Sequence, residues 1–190
     1  IARMVYNDGL VTIIGMAAIY AGATLGMTLE QVLTMAIALN VAAGIGAFGF
    51  GYVDDRIGGK KTILISLVLL TIAGTIGVMT TTVAGFWLAA VLIGLMMGPN
   101  QSASRSLLSR LVPEQKHAEF FGLYAFSGKM SSIFGPLVYG GIVASTGNHK
   151  LAMSSIIVFF AVGFVLMLAV REQEGIATAQ NAEAAALIAP

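Results

Sequence analysis

The sequence contains no cysteine, only two histidines and four prolines, and few charges. Each shortage excludes something. Without cysteine there are no disulfides and no thiolate-bound metals. His117 and His149 are too few and too far apart to make a metal centre, so no metal and no cofactor is expected. Charged residues are 10% of the chain, where a soluble domain carries about 25%. That is too little to cover a surface in water. The net charge of +1 leaves no basic face for nucleic acid. No nucleophile–base–orienter set is visible, "GFGFG" lacks the lysine of a phosphate loop, and the paired aspartates of an intramembrane protease are missing, so an enzyme is not expected.

What the chain does have is apolar surface. Hydrophobic residues are 57% of 190, against about 45–50% in soluble domains, and the solvent for most of the chain is therefore the lipid bilayer. Hydropathy predicts spans near 3–24, 31–53, 62–81, 85–107, 118–145 and 150–170, forming one unit over 1–171 with a tail over 172–190. Each span reaches ~20 residues, enough for a hydrocarbon core of about 30 Å at 1.5 Å per residue. Backbone groups in lipid must be satisfied within the segment, which selects helices. Alternating strands of ~10 residues, as in a barrel, are absent. The expected fold is an all-α membrane protein with six transmembrane helices. The tail, rich in alanine and polar residues, reads as disordered or as a short surface helix.

The connections form two sets. "GMTLEQ", "TTVAG" and "STGNHK" carry only Lys150, whereas "DDRIGGKK", "VPEQKHAE" and the opening of the tail carry Arg56, Lys60, Lys61, Lys116 and Arg171, with Arg110 at the edge. Lysine and arginine accumulate on the cytoplasmic side, so both ends of this segment are expected to be cytoplasmic. Glycines within spans, among them Gly44, Gly46, Gly49, Gly135, Gly140 and Gly141, suit close helix packing.

The turn "GYVDDRIGGKK", Gly51 to Lys61, is more than a topology anchor, because Asp54 and Asp55 count for little in that effect. It resembles the loop motif G-x-x-x-D-R-x-G-x-K-K, which joins the second and third helices of each half of the major facilitator superfamily. The resemblance implies a conformational latch built from Gly51, Asp55, Arg56, Gly58 and Lys60. Gly51 would let the helix end pack on a neighbour, Asp55 would face a helix N-terminus, Arg56 would pair with a carboxylate and Gly58 would make the turn. The competing reading is a solvated basic turn. "GPLVYGG", Gly135 to Gly141, is similar to the G-P-x-x-G-G pattern of the fifth helix of such halves, where Pro136 would bend the helix. "YNDG" from Tyr6, "GPNQSASRSLLSRLVP" from Gly98 and "AEFFGLYAFSGKMSSIFGPL" from Ala118 resemble bacterial relatives of the vacuolar amino-acid effluxer family.

That resemblance implies the C-terminal six-helix half of a secondary transporter in a bacterial inner membrane. Its partners would be the bilayer, the missing N-terminal half and a small-molecule solute, with amino-acid export by alternating access as the activity. Ile1 at the start, in place of a methionine, agrees with a piece of a longer protein. The alternative is a self-contained six-helix protein acting as a dimeric carrier or scaffold.

Strongly polar groups within spans are costly and mark functional sites. Here they are Asn7, Asp8, Asn40, Asn100, Gln101, Arg105 and Lys129. Counted from the opposite helix ends, Asp8, Asn100, Gln101, Arg105 and Lys129 fall about 21–28 Å deep, in one layer, and Asn40 about 15 Å deep. These residues are expected to bind or couple solute, with Tyr6 and Tyr124 adding hydroxyls at the rim. Gln101 and Arg105, four apart, share a helix face. Asn7 and Asp8 point about 100° apart, so at most one faces the cavity. A charge pair of Asp8 with Lys129 or Arg105 is expected to break and re-form during transport.

Overall fold

The computed structural model describes the backbone of residues 1–188 and the side chains of 1–184. Its elements are α1 (Ala2–Leu25), α2 (Leu29–Ile57), α3 (Gly59–Met79), α4 (Val83–Leu111), a 3₁₀ turn (Glu114–Lys116), α5 (His117–Met130), α6 (Phe134–Thr146), α7 (His149–Leu168) and α8 (Glu172–Ile188). The protein is an all-α membrane protein. Among the described residues five helices, α1 to α4 and α7, are long and apolar enough to cross a bilayer.

The turns at the weakly charged end are explained by local chemistry. Thr28 and Gln31 form a reciprocal capping box at the start of α2, while Thr82 and Asn148 cap α4 and α7 through their side chains. Gly26 and Gly147 close α1 and α6 in the left-handed conformation. At the other end α2 and α4 run four residues past the predicted limits, to Ile57 and Leu111. At 1.5 Å per residue each is about 43 Å long, more than the hydrocarbon core needs. Helical hydrogen bonding does not stop where hydropathy falls; α2 stops where Gly58 turns with φ 88°.

The predicted span 118–145 is two helices, α5 and α6, separated at Ser131–Ile133. Neither is long enough to cross alone. Pro136 accounts for the break. It has no N–H to give the Ser132 carbonyl four residues earlier, and its ring crowds that carbonyl. At the third position of α6 the missing N–H costs nothing, because that donor has no helical partner in any case.

Packing neighbours run α2–α4–α3–α7–α1, with α6 against α7 and α1. The α2–α4 seam is the tightest. A side chain at Gly46 would strike the Leu95 backbone, and one at Gly94 or Gly98 would strike the carbonyls of Leu39 or Ala43. Only glycine permits backbones this close. Pro99 sits inside α4 and frees the Leu95 carbonyl, and that is the carbonyl facing Gly46. By contrast Gly44, Gly49, Gly51, Gly140 and Gly141 face open space. Gly51 therefore does not seat the end of α2 on a neighbour, since nothing lies within reach of a side chain there.

The tail is a helix packed across the charged end. Gly175 of α8 lies against Leu111, the Glu172 carboxylate lies beside Gly58, and Glu183 Oε1 accepts from the Glu114 backbone N–H at 2.9 Å. Residues 189–190 of the predicted tail lie outside the described residues.

Candidate functional site

One face of α1, α4 and α5 forms an open groove of about 590 Å³. It is lined by Arg3, Asn7 and Val11 of α1, Gln101 and Arg105 of α4, and Phe121, Tyr124, Ala125, Gly128, Lys129 and Ser132 around α5. The α5 residues recur at helical spacing, so a single stripe of that helix supplies them. No acidic residue lines the groove. Among the described residues Arg3, Arg105 and Lys129 form no ion pair.

Arg3 is the best-held of the three cations. Its Nη1 donates to the Tyr124 carbonyl and to Ser127 Oγ, each at 2.9 Å. Its Cζ lies 3.3 Å from the centroid of the Tyr124 ring, a cation–π stack. These contacts tie the start of α1 to α5, a helix that buries no residue of its own. Asn7 Nδ2 donates to Ser131 Oγ at 2.8 Å, and Ser131 Oγ donates to the Gly128 carbonyl at 3.0 Å. The break between α5 and α6 is thereby pinned to α1 at the floor of the groove.

Asn7, Gln101, Arg105, Tyr124 and Lys129 come together in this groove. The other expected site residues lie elsewhere. Asn100 is buried, with Nδ2 donating to Ser66 Oγ of α3 at 2.8 Å, and Ser104 Oγ donates to the Asn100 carbonyl. Tyr6 is not at the rim. It is buried, with its hydroxyl 2.8 Å from Ser104 Oγ. Asn40 is exposed on α2, away from the groove, and donates to the Ala36 carbonyl of its own helix at 2.8 Å. Asn100 and Tyr6 thus belong to a polar chain that joins α1, α4 and α3 inside the bundle.

Asp8 is 2% exposed and lies behind the groove, against Gly135 in the first turn of α6. Its Oδ1 has no partner, nor has Oγ1 of Thr12, one turn along α1. A side chain at Gly135 would strike Thr12, so the contact between α1 and α6 depends on that glycine. The expected pairing of Asp8 with Lys129 or Arg105 is absent among the described ion pairs. The reason is rotational. Asp8 points into the α1–α6 contact, whereas both cations are exposed on the groove side. The first turn of α6 offsets part of the cost of burying a carboxylate there.

The charged turn departs from the expected wiring. Arg110, in the last turn of α4, approaches Asp54 Oδ2 at 3.8 Å and Asp55 Oδ1 at 3.9 Å. Asp54 is the more enclosed acid, its side chain 12% exposed against 80% for Asp55. No side chain caps α3, and Asp55 is largely exposed. Arg56 is exposed and outside the described ion pairs. Gly58 does make the turn, with φ 88°. Lys60 Nζ donates to the carbonyls of Leu168 and Val170, at 2.8 and 2.7 Å, and so caps the end of α7.

Sequence reasoning missed Arg3, Thr12, Ser131 and the pairing role of Arg110. Arg3 had a usable signal: it stands four residues before Asn7 and shares its helix face. Ser131 had none, because its importance follows from the break beside it.

The family model described as Vacuole effluxer Atg22 like matches residues 1–180. An uncharacterised MFS-type transporter of Bacillus subtilis, YxiO, is 32% identical over 173 residues, covering 91% of this chain and 40% of that protein. Autophagy-related protein 22-1 of Penicillium rubens is 29% identical over 188 residues, covering 92% of this chain and 32% of the relative. Autophagy-related protein 22-1 of Phaeosphaeria nodorum is 32% identical over 181 residues, covering 87% and 31%. The chain thus spans well under half the length of these relatives. The match runs along nearly all of the chain, on an all-α membrane bundle with a polar groove: the chain belongs to the Vacuole effluxer Atg22 like family.

Proposed function

We propose that this chain is the C-terminal half of a secondary active transporter that moves a small solute across the membrane by alternating access. In this reading α5 and α6 together make a sixth crossing, both ends of the segment are cytoplasmic, and the groove on α1, α4 and α5 is one wall of the solute pathway. An N-terminal bundle supplies the other wall, as in transporters whose two halves rock about a site near mid-membrane. The observation that carries the reading is the convergence of Arg3, Asn7, Gln101, Arg105, Tyr124 and Lys129 from separate helices into one open groove. Buried charge is expensive in lipid, and an open groove lets the cations keep water until a solute or the partner half covers them. The effluxer description of the family supports outward movement, and the motif resemblance adds amino acids as the solute class.

Asp8 is the coupling acid in this proposal. It is enclosed, carries an unpaired oxygen and lies against the first turn of α6, which follows the break after α5. The test uses the full-length protein in proteoliposomes, with amino acids and small organic acids as solutes and with or without a pH gradient. Gradient-driven accumulation is expected for the native protein. Asp8→Asn should lose accumulation while keeping solute exchange at equal pH. Unchanged accumulation in Asp8→Asn removes the coupling role, and the absence of flux for every solute removes the transporter reading.

A further inference from the structure

The charge of the groove carries an inference about what enters it, one that rests on the transporter reading above. Three cations, from α1, α4 and α5, face one space. Each of this chain's acids is kept out. Asp8 is turned into the α1–α6 contact, and Asp54 and Asp55 belong to Arg110 at the charged end. Glu119, on the same helix as Lys129, lies off the stripe that lines the groove. Arg3 is not a loose surface cation. Its guanidinium is stacked on Tyr124 and bonded through Nη1 to two acceptors, which leaves Nη2 and Nε with donors to spare. A planar, pre-oriented guanidinium suits a carboxylate better than any neutral or cationic group. Asn7 and Gln101 add neutral polar groups beside it, and no carboxylate of this wall is available to receive an ammonium.

We propose that this groove selects an organic carboxylate and prefers a net-anionic solute over a zwitterion or a cation, with Arg3 as the fixed anchor and Arg105 and Lys129 as the mobile partners. Arg105 and Lys129 are exposed, so they can follow the solute as the two halves rock. The same cations would also accept phosphate, either free or as a lipid headgroup, so the test separates these sources.

The experiment uses the full-length transporter, purified and then reconstituted. Binding is read by ligand-dependent thermal stabilisation, and transport by flux, for glutamate, glutamine and lysine, a series differing mainly in charge. Inorganic phosphate, and vesicles with and without phosphatidylglycerol, form the competing arms. Glutamate is expected to bind at least about tenfold more tightly than glutamine, with lysine weakest. Arg105→Gln and Lys129→Gln, both on exposed positions, should each shrink the glutamate–glutamine gap while leaving the unliganded melting temperature in place. Arg3→Lys, which keeps the charge and loses the planar fork, should weaken glutamate binding more than its effect on stability explains. Equal or better transport of glutamine or lysine overturns the charge preference and leaves the transporter reading standing. Binding of none of the three, with no flux, overturns both. Loss of glutamate binding only when phosphatidylglycerol is present assigns the cations to lipid headgroups and overturns the solute inference, as does phosphate competing more strongly than glutamate.

Discussion

The two sides of this bundle are built by opposite rules. Along the α2–α4 seam Gly46, Gly94 and Gly98 bring backbone against backbone, and α4 buries residues along its length from Phe86 to Leu107. Along the α1–α5 side the helix is broken, α5 buries nothing, and contact is made by one arginine stack and a few hydrogen bonds. The seam has little freedom to move, because interdigitated backbones have no alternative arrangement of similar energy. The α5 side is held by directional polar contacts, which can be exchanged one set for another. In the proposed transporter, a fixed seam beside an exchangeable wall would let the half-bundle rock, with the polar groove on the wall that can change.

Four experiments sharpen or break this contrast. The largest effect is expected at the seam. Gly98→Leu should destabilise the bundle by about 2–3 kcal/mol through overpacking against Ala43, measured by denaturant unfolding in detergent. Gly44→Leu, on an open face of α2, the other helix of the seam, should be close to neutral. Equal losses at both positions would remove the claim that backbone contact defines the seam. Next comes Arg3→Ala, which removes the cation–π stack and two hydrogen bonds at a cost of about 1–2 kcal/mol. Its signature should be local, with faster amide exchange over 117–130 and little change in α2 or α4. Uniformly faster exchange would mean that α5 is not a separately held wall.

A smaller effect is expected at the charged end. Asp54→Asn should cost about 1 kcal/mol or less and Asp55→Asn under about half of that, because exposed pairs are weak. In a cysteine-accessibility assay of inward and outward states, Asp54→Asn should shift the balance further than Asp55→Asn. The reverse order would restore Asp55 as the latch acid. The smallest change in stability belongs to Arg105→Gln, within about 0.5 kcal/mol as for other exposed substitutions, with solute flux nonetheless reduced. Flux equal to that of the native protein would remove Arg105 from the pathway.

Much of this was readable from residues alone, for identifiable reasons. The capped turns at Thr28, Thr82 and Asn148 and the glycine stops at Gly26 and Gly147 are local events, settled within four or five residues. Pro136 announced a bend by the same local logic. Helical period assigned Gln101 and Arg105 to one face and parted Asn7 from Asp8. The parting is real, and it was Asn7 that received the groove. What period could not do was name the neighbour on each face. Asn100 has the composition of a ligand and the position of a structural tie to Ser66. Arg110 lay at the margin of the basic set, yet it approaches both aspartates because α4 runs on past its predicted end to stand beside α2.

Composition and spacing by themselves determined that this chain lives in lipid, that it is helical, where the turns between its predicted spans fall and which few polar residues must be accounted for. Those properties follow from solvation and from hydrogen bonds a few residues long. Tertiary structure alone decided that Asp8 and Asn100 are enclosed, that Arg3, Arg105 and Lys129 share one space, and that Asp54 is more enclosed than Asp55. Each of those outcomes depends on which distant helix covers a given face, and that choice is made by backbone approach and side-chain fit between segments far apart in the chain.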